Sequence, residues 1–368
     1  MKHCIVALLL TLSSAPAFAQ TAAPDIPFDA VDFLKMPADM YMGEASGVAV
    51  NSKGHVFVVN RGGTVSTAFQ SAASQLLEFG PDGKFIREIG KGLYAWSYAH
   101  TVRVDKDDNV WAVDKGSDMA IKFNPEGRVM MVFGRKPESP HPFNGYDREG
   151  TQEELRKRYP HVDGLFRQPT DVAWDSRGNI FISDGYVNSR VAKFDENGDW
   201  VKSFGERGAK PGEFNTAHSI AIDAKDNVYV ADRTNRRIQV FDADGKFLRI
   251  ITSDAPLPAD AKPANGNMPT PQQAAETNGA PWAICITPGP NQFLYSADAF
   301  PGRIYKHSLD GKLLGVLGKS GKQLKQFGWI HEMACPSENE LYVAELLNWR
   351  VQKLSLHPQA AKSSSGAN

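Results

Sequence analysis

Cysteine, net charge and long apolar runs are all scarce in this chain of 368 residues. Three cysteines occur, and Cys4 lies in the N-terminal segment, which leaves Cys285 and Cys335 for the folded protein. Both sit in strand-like apolar alternation, and two buried free thiols are expected. Aligning the repeats described below puts the two one step out of register, so their side chains point in different directions. The formal net charge is −1, so no global field draws the chain onto nucleic acid or an anionic membrane. Its sustained N-terminal apolar run, residues 5–12, is too short to span a bilayer. Long helical patterns are few, and with 32 glycines and 23 prolines the composition favours a turn-rich β protein.

What the N-terminus does carry has the form of a secretory signal. Met1-Lys2-His3 precedes the apolar run, and Ala17-Phe18-Ala19 supplies a small-x-small cleavage pattern. Residues 1–19 are therefore read as a signal peptide, with Gln20 beginning the mature chain. Cys4 lies ahead of the apolar run, where a lipoprotein cysteine would not. A soluble, exported monomer is expected, in the bacterial periplasm or secreted. Residues 358–368, a serine-rich tail, are expected to be disordered.

Self-comparison finds six copies of one unit across residues 45–357. First strands centre on Val48, Val102, Val172, Ile220, Ile284 and Met333. Second strands end in Asn60, Asp114, Asp184, Asp232, Asp298 and Glu345. Hairpin signals such as Pro81-Asp82-Gly83 and Ala243-Asp244-Gly245 then lead into fourth strands. Four antiparallel strands repeated six times predict an all-β, six-bladed β-propeller. The sixth copy runs out after its third strand. Residues 28–36, within the N-terminal segment 20–44, can supply the missing strand and so remove two open edges. Two insertions interrupt the repeats. Residues 136–166 contain a helical stretch, Gln152-Glu153-Glu154-Leu155-Arg156-Lys157-Arg158, and residues 254–280 read as a long loop.

Aligning the first strands puts His100, His218 and His331 at one repeat position, in copies two, four and six. Copies one, three and five carry Ser46, Thr170 and Trp282 there. First strands of a propeller line its central channel, so three alternate blades would bring their histidines together on the axis. Facial imidazoles with open positions suit zinc, or another metal that accepts nitrogen. Because second strands run back to the same face, Arg61, Lys115, Tyr186 and Arg233 would overlook that metal. Lys115 is read as an exposed loop cation. The repeated Asp114, Asp184, Asp232 and Asp298 are read as acceptors for turn N–H groups rather than as catalytic groups. Arginines can hold a carboxylate bidentately, and a tyrosine beside guanidinium groups and a metal can serve as a base. The combination suits cleavage at an oxygenated carbon of a small acidic substrate.

These segments resemble a known family. The units look like NHL repeats, and the six-repeat region is similar to peptidyl-α-hydroxyglycine α-amidating lyase (peptidylamidoglycolate lyase). Ser46-Gly47-Val48-Ala49-Val50 with Asn60-Arg61-Gly62 matches the blade bearing that family's active-site arginine. Gln168-Pro169-Thr170-Asp171-Val172-Ala173 with Ser183-Asp184-Gly185-Tyr186 matches the blade of its catalytic tyrosine. His218-Ser219-Ile220-Ala221 with Asp232-Arg233 matches the blade of a zinc histidine and a second arginine. The resemblance implies a zinc lyase that splits a carbinolamide N–C bond of a peptidyl α-hydroxyglycine, releasing an amide and glyoxylate. Tyr186 would be its base, assisted by Arg61, and Arg233 would place the carboxylate or the tyrosinate. It also implies a structural calcium in the channel, on the carbonyls of Val48 and Val102 and the side chain of Glu332, where the family has aspartate. Two other classes stay open on the residues alone: a non-catalytic NHL scaffold, and a metal-dependent propeller hydrolase of the lactonase kind.

Overall fold

A computed structural model describes residues 23–62, 73–136 and 146–357. The signal peptide, the C-terminal tail and His141 lie outside the described residues. The architecture is a six-bladed β-propeller, in which six four-stranded antiparallel sheets ring a central channel. The inner strands are Ala45–Val50, Ala99–Val104, Asp171–Trp174, Ala217–Ile222, Ala283–Ile286 and Ile330–Ser337, in blades one to six.

Each strand alternates because its two faces meet different neighbours, and the apolar residues pack between blades rather than within them. Trp96, Phe123 and Ala112 of blade two meet Val59 and Leu76 of blade one. Trp111 and Phe133 of blade two meet Val172, Ile182 and Phe194 of blade three. The same arrangement recurs between blades three and four, four and five, five and six, and six and one. A fully buried aromatic such as Trp96, Trp111 or Phe123 contributes about 2–3 kcal/mol by leaving water, so the ring is held by its seams.

The last seam is closed by the N-terminal segment. Phe28–Asp32 pairs antiparallel with Arg350–Leu356, Phe28 opposite Leu356 and Asp32 opposite Gln352, and becomes the outer strand of blade six. The chain beyond Asp32 leaves that sheet, with Phe33 edge-on against Tyr342 of blade six, and runs across to blade one, where Lys35 N–H donates to the Gly83 carbonyl. The terminal strand therefore closes one blade and bridges to the next.

Two features differ from the sequence expectation. Residues 254–280 contain a helix, Pro271–Thr277, inside the expected loop. Thr270 and Gln273 form a capping box with proline in the first turn, enough to start a helix that ends within two turns. The second difference is Cys285–Cys335, which is a disulfide with Cα atoms 6.1 Å apart rather than two free thiols. The one-step offset is what a bridge between blades needs, because neighbouring blades present opposite faces to each other: Ala283 and Cys285 face blade six, and Met333 and Cys335, two residues apart on one face, meet them from blade six. Blade six also bulges just beyond, where Ala334 pairs with Tyr342 and Ser337 with Glu340.

Candidate functional site

A second kind of bulge builds the site. In blades one, two, four and six the pairing of inner and second strands skips one residue, and the skipped residues are Ser46, His100, His218 and His331. A bulged residue leaves the side-to-side alternation and re-aims its side chain; here the histidines are aimed down the channel axis. The three histidines are buried, and each offers a ring nitrogen within 4.8 Å of the others. Ring centroids lie 4.7 Å (His100–His218), 4.6 Å (His100–His331) and 5.1 Å (His218–His331) apart.

The intervening blades hold these rings by their backbone. His100 Nδ1 lies 2.7 Å from the Thr170 carbonyl, His218 Nδ1 2.6 Å from the Trp282 carbonyl, and His331 Nδ1 2.6 Å from the Ser46 carbonyl. Thr170, Trp282 and Ser46 occupy the histidine position in blades three, five and one, so one repeat position supplies ligand and anchor alternately. A carbonyl can only accept, so each Nδ1 carries the proton and each Nε2 presents its lone pair to the axis. Burial is the main force holding all three imidazoles well below their usual pKa, with neighbouring histidines and cations adding to it. Neutral imidazoles with an unprotonated Nε2 are the state a metal binds.

The acidic ends of the second strands brace the same region. Asp114 accepts from the N–H groups of Ser97, Tyr98 and Ser117, and Asp232 accepts from Asn215 N–H. Asp184 holds Arg167 N–H, Asp298 holds Gly279 N–H, and Glu345 holds Gly328 N–H. Each clamps the segment entering an inner strand, the structural role expected for the repeated aspartates. Thr216 and Trp329, two residues before His218 and His331, take left-handed φ values of 69° and 65°. Such backbone is costly for side chains with a Cβ and persists where surrounding bonds enforce it.

Tyr186, Arg61 and Arg233 converge on the Nε2 face. Tyr186 Oη lies 3.2 Å from His218 Nε2 and 3.4 Å from His100 Nε2. Arg61 Nη2 lies 3.3 Å from His331 Nε2, while its Nε donates to the Ala99 carbonyl at 2.8 Å and its Nη1 to Tyr98 Oη at 3.2 Å. Arg233 Nη1 donates to Tyr186 Oη at 3.4 Å and stacks on Trp282, 4.0 Å from the ring centre. Gly185, just before the tyrosine, is forced: a Cβ there would lie 1.8 Å from the Ala217 carbonyl oxygen.

Lys115 is a correction. It is not an exposed loop cation; its Nζ lies 3.8 Å from the centre of the Tyr186 ring and it is half-buried. Its sequence signal was its place after Asp114, equivalent to Arg61 after Asn60 and Arg233 after Asp232. Burial alone would raise the Tyr186 phenol, but Lys115, Arg233 and Arg61 outweigh burial and bring it down to about 8. Burial, opposed by Tyr186 and reinforced by the neighbouring guanidiniums, lowers Lys115 itself to about 8. Arg148, from the first insertion, also lies over Tyr186, 5.3 Å from the ring centre. Tyr98 and Arg148 were not among the residues expected from sequence.

Deeper in the channel, Val48 and Val102 are fully buried. Glu332 Oε2 accepts from Val102 N–H at 3.2 Å, and Glu332 Oε1 lies 2.9 Å from Arg103 Nε. Gly47 permits this: a Cβ there would come within 2.4 Å of Glu332 Oε2 and 2.7 Å of Val102 N. Glu332, the acidic side chain expected to hold calcium, thus lies against the Val102 N–H and the Arg103 guanidinium.

Fold and channel together define a six-bladed β-propeller with an imidazole-lined axial site. Residues 163–267 match a family model described as a 6-bladed beta-propeller. Among curated proteins, peptidylglycine alpha-amidating monooxygenase of Rattus norvegicus is 31% identical over 233 residues, covering 57% of this chain and 22% of that protein. The probable peptidyl-alpha-hydroxyglycine alpha-amidating lyase of Caenorhabditis elegans is 30% identical over 220 residues, covering 55% of this chain and 56% of that one. This chain therefore matches between about a fifth and about half of these relatives' length. A solved streptogramin B lyase structure superposes with a TM-score of 0.51 at 14% identity, over 90% of this chain and 98% of the other, a likeness of fold. The resemblance to the amidating lyases seen in the sequence is borne out by these relatives. Among the described residues no helix is long and apolar enough to cross a membrane.

Proposed function

We propose that this protein is a zinc-dependent carbon–nitrogen lyase that cleaves an α-hydroxyglycine amide to an amide and glyoxylate. One observation carries the reading: three neutral, backbone-anchored imidazoles present Nε2 atoms to one point, with Tyr186 Oη against two of them and Arg61 against the third. His100, His218 and His331 would hold the metal, a set that suits zinc with an open coordination position. Bound there, zinc supplies Lewis-acid polarisation of a substrate oxygen.

The chain's own groups account for the rest. Tyr186, lowered to about 8, takes the hydroxyl proton of the carbinolamide. The O–H electron pair forms the aldehyde C=O of glyoxylate, the C–N bond breaks, and the amide nitrogen leaves with that bond's electron pair. The proton held on Tyr186 passes to that nitrogen, so atoms and charge balance without water or an oxidant. Arg233 donates to the phenol oxygen and Arg61 stands against His331 Nε2; the charge of both favours the phenolate, and both offer donors to the substrate carboxylate. The Cys285–Cys335 disulfide supports an oxidising compartment such as the periplasm. Purified protein incubated with α-hydroxyhippurate should release glyoxylate stoichiometrically with benzamide. Metal-loaded wild-type protein that releases none removes the lyase reading.

A further inference from the structure

We propose that the Arg103 guanidinium is the resident cation of this channel, doing the structural work of a divalent metal so that the propeller is held without calcium. Arg103 lies on the inner strand of blade two. Its Nε donates to Asp171 Oδ1 at 2.9 Å and its Nη2 to Asp171 Oδ2 at 2.6 Å, a bidentate pair with blade three. The same Nε is 2.9 Å from Glu332 Oε1 in blade six. Nη1 donates to the Met333 carbonyl at 3.2 Å, and Nη2 reaches Ser219 Oγ of blade four at 3.2 Å and the Ile284 carbonyl of blade five at 3.4 Å. One side chain therefore ties blades two to six together across the axis.

Calcium asks for six to eight oxygen ligands at about 2.3–2.6 Å. The oxygens here are already gathered round five N–H donors in a planar fork, the arrangement arginine serves and a spherical ion does not. Glu332, the acidic ligand expected for calcium, accepts from Val102 N–H on Oε2, while its Oε1 accepts no hydrogen bond and is matched by the charge of Arg103, 2.9 Å from Nε. The space left between the histidines and these carboxylates is a cavity of about 10 Å³, lined also by Thr101, Thr170 and Ser219. That holds about one water, not a hydrated divalent ion. On the far side of Arg103 the channel opens into an apolar mouth of about 350 Å³, so the guanidinium also separates the imidazole chamber from that mouth.

The test reads metal content and melting temperature, neither of which depends on the proposed activity. Wild-type protein purified without chelators should contain no stoichiometric calcium, and millimolar calcium should leave its melting temperature unchanged. Arg103→Ala leaves Asp171 and Glu332 facing each other without their cation. It should melt about 5–10 °C lower, the loss expected when one partner of a buried ion pair is removed, and should regain part of that loss with calcium. Should Arg103→Ala fail to fold, Arg103→Lys, which keeps the charge with fewer donors, should fold with intermediate stability. Stoichiometric calcium in wild-type protein, a calcium-dependent rise in its melting temperature, or an Arg103→Ala variant as stable as wild type would each overturn the proposal.

Discussion

Replacing Lys115 by methionine keeps most of the side-chain volume and deletes the cation 3.8 Å from the Tyr186 ring. The phenol stands at about 8 against 10.0 for free tyrosine, with burial pushing the other way. That net difference is worth about 3 kcal/mol at 1.36 kcal/mol per pKa unit. Lys115 leads the three cations that oppose burial, so its loss should return the phenol by about one unit, to about 9. A tyrosine acting as base works in its ionised form. At pH 7 about one phenol in ten is ionised with a pKa of 8, and about one in a hundred with a pKa of 9. In Lys115→Met, kcat/KM for glyoxylate release should therefore fall about tenfold at pH 7, and its rising limb should move up by about one pH unit. Most of the wild-type rate should return at pH 10. Ultraviolet titration of the phenolate should move by the same amount without any substrate, and Lys115→Arg should restore the wild-type profile. An unchanged midpoint in both measurements would refute the assignment of Lys115 to Tyr186. A uniform loss at every pH would show that Lys115 acts on the substrate instead.

Tyr186→Phe should abolish glyoxylate release while the metal content stays at the wild-type level, measured by elemental analysis beside the rate assay. Gly185→Ala should cost about 3 kcal/mol or more, read by chemical denaturation, because its Cβ would sit 1.8 Å from the Ala217 carbonyl oxygen. A neutral result there would mean that the Tyr186 turn is softer than its packing implies. Reducing Cys285–Cys335, which closes 50 residues of chain, should cost about 4 kcal/mol on the loop-entropy account; the check is the melting temperature with and without reductant, compared with Cys285→Ser/Cys335→Ser.

The fold was legible because a propeller repeats its instructions. Alternating strands recur six times, a glycine hairpin follows five of the third strands, an acidic residue closes five of the six second strands with Asn60 the exception, and the short sixth copy pointed to a terminal strand. The histidine triad was legible for the same reason, since His100, His218 and His331 share one repeat position. What the repeat does not encode was harder to read. Equivalent repeat positions point the same way round the ring, whereas residues that meet across a seam point opposite ways, so the one-step offset of Cys285 and Cys335 was misjudged. Lys115 shares its repeat position with Arg61 and Arg233, yet only the packing reveals a half-buried ammonium over Tyr186. Arg103 follows Val102 in a strand whose neighbours are apolar, and its five-blade contacts exist only once the ring has closed. The helix Pro271–Thr277 carried its own signal in Thr270-Pro271-Gln272-Gln273, masked by the prolines and asparagines around it.

The account turns on a metal held by three imidazoles, and elemental analysis of the folded protein tests it most directly. Wild-type protein should carry about one zinc per chain. His100→Ala/His218→Ala should fold with the same β-sheet signature and carry none. Wild-type protein that is fully folded yet cannot be loaded with zinc, or a double variant that retains it, would contradict the account.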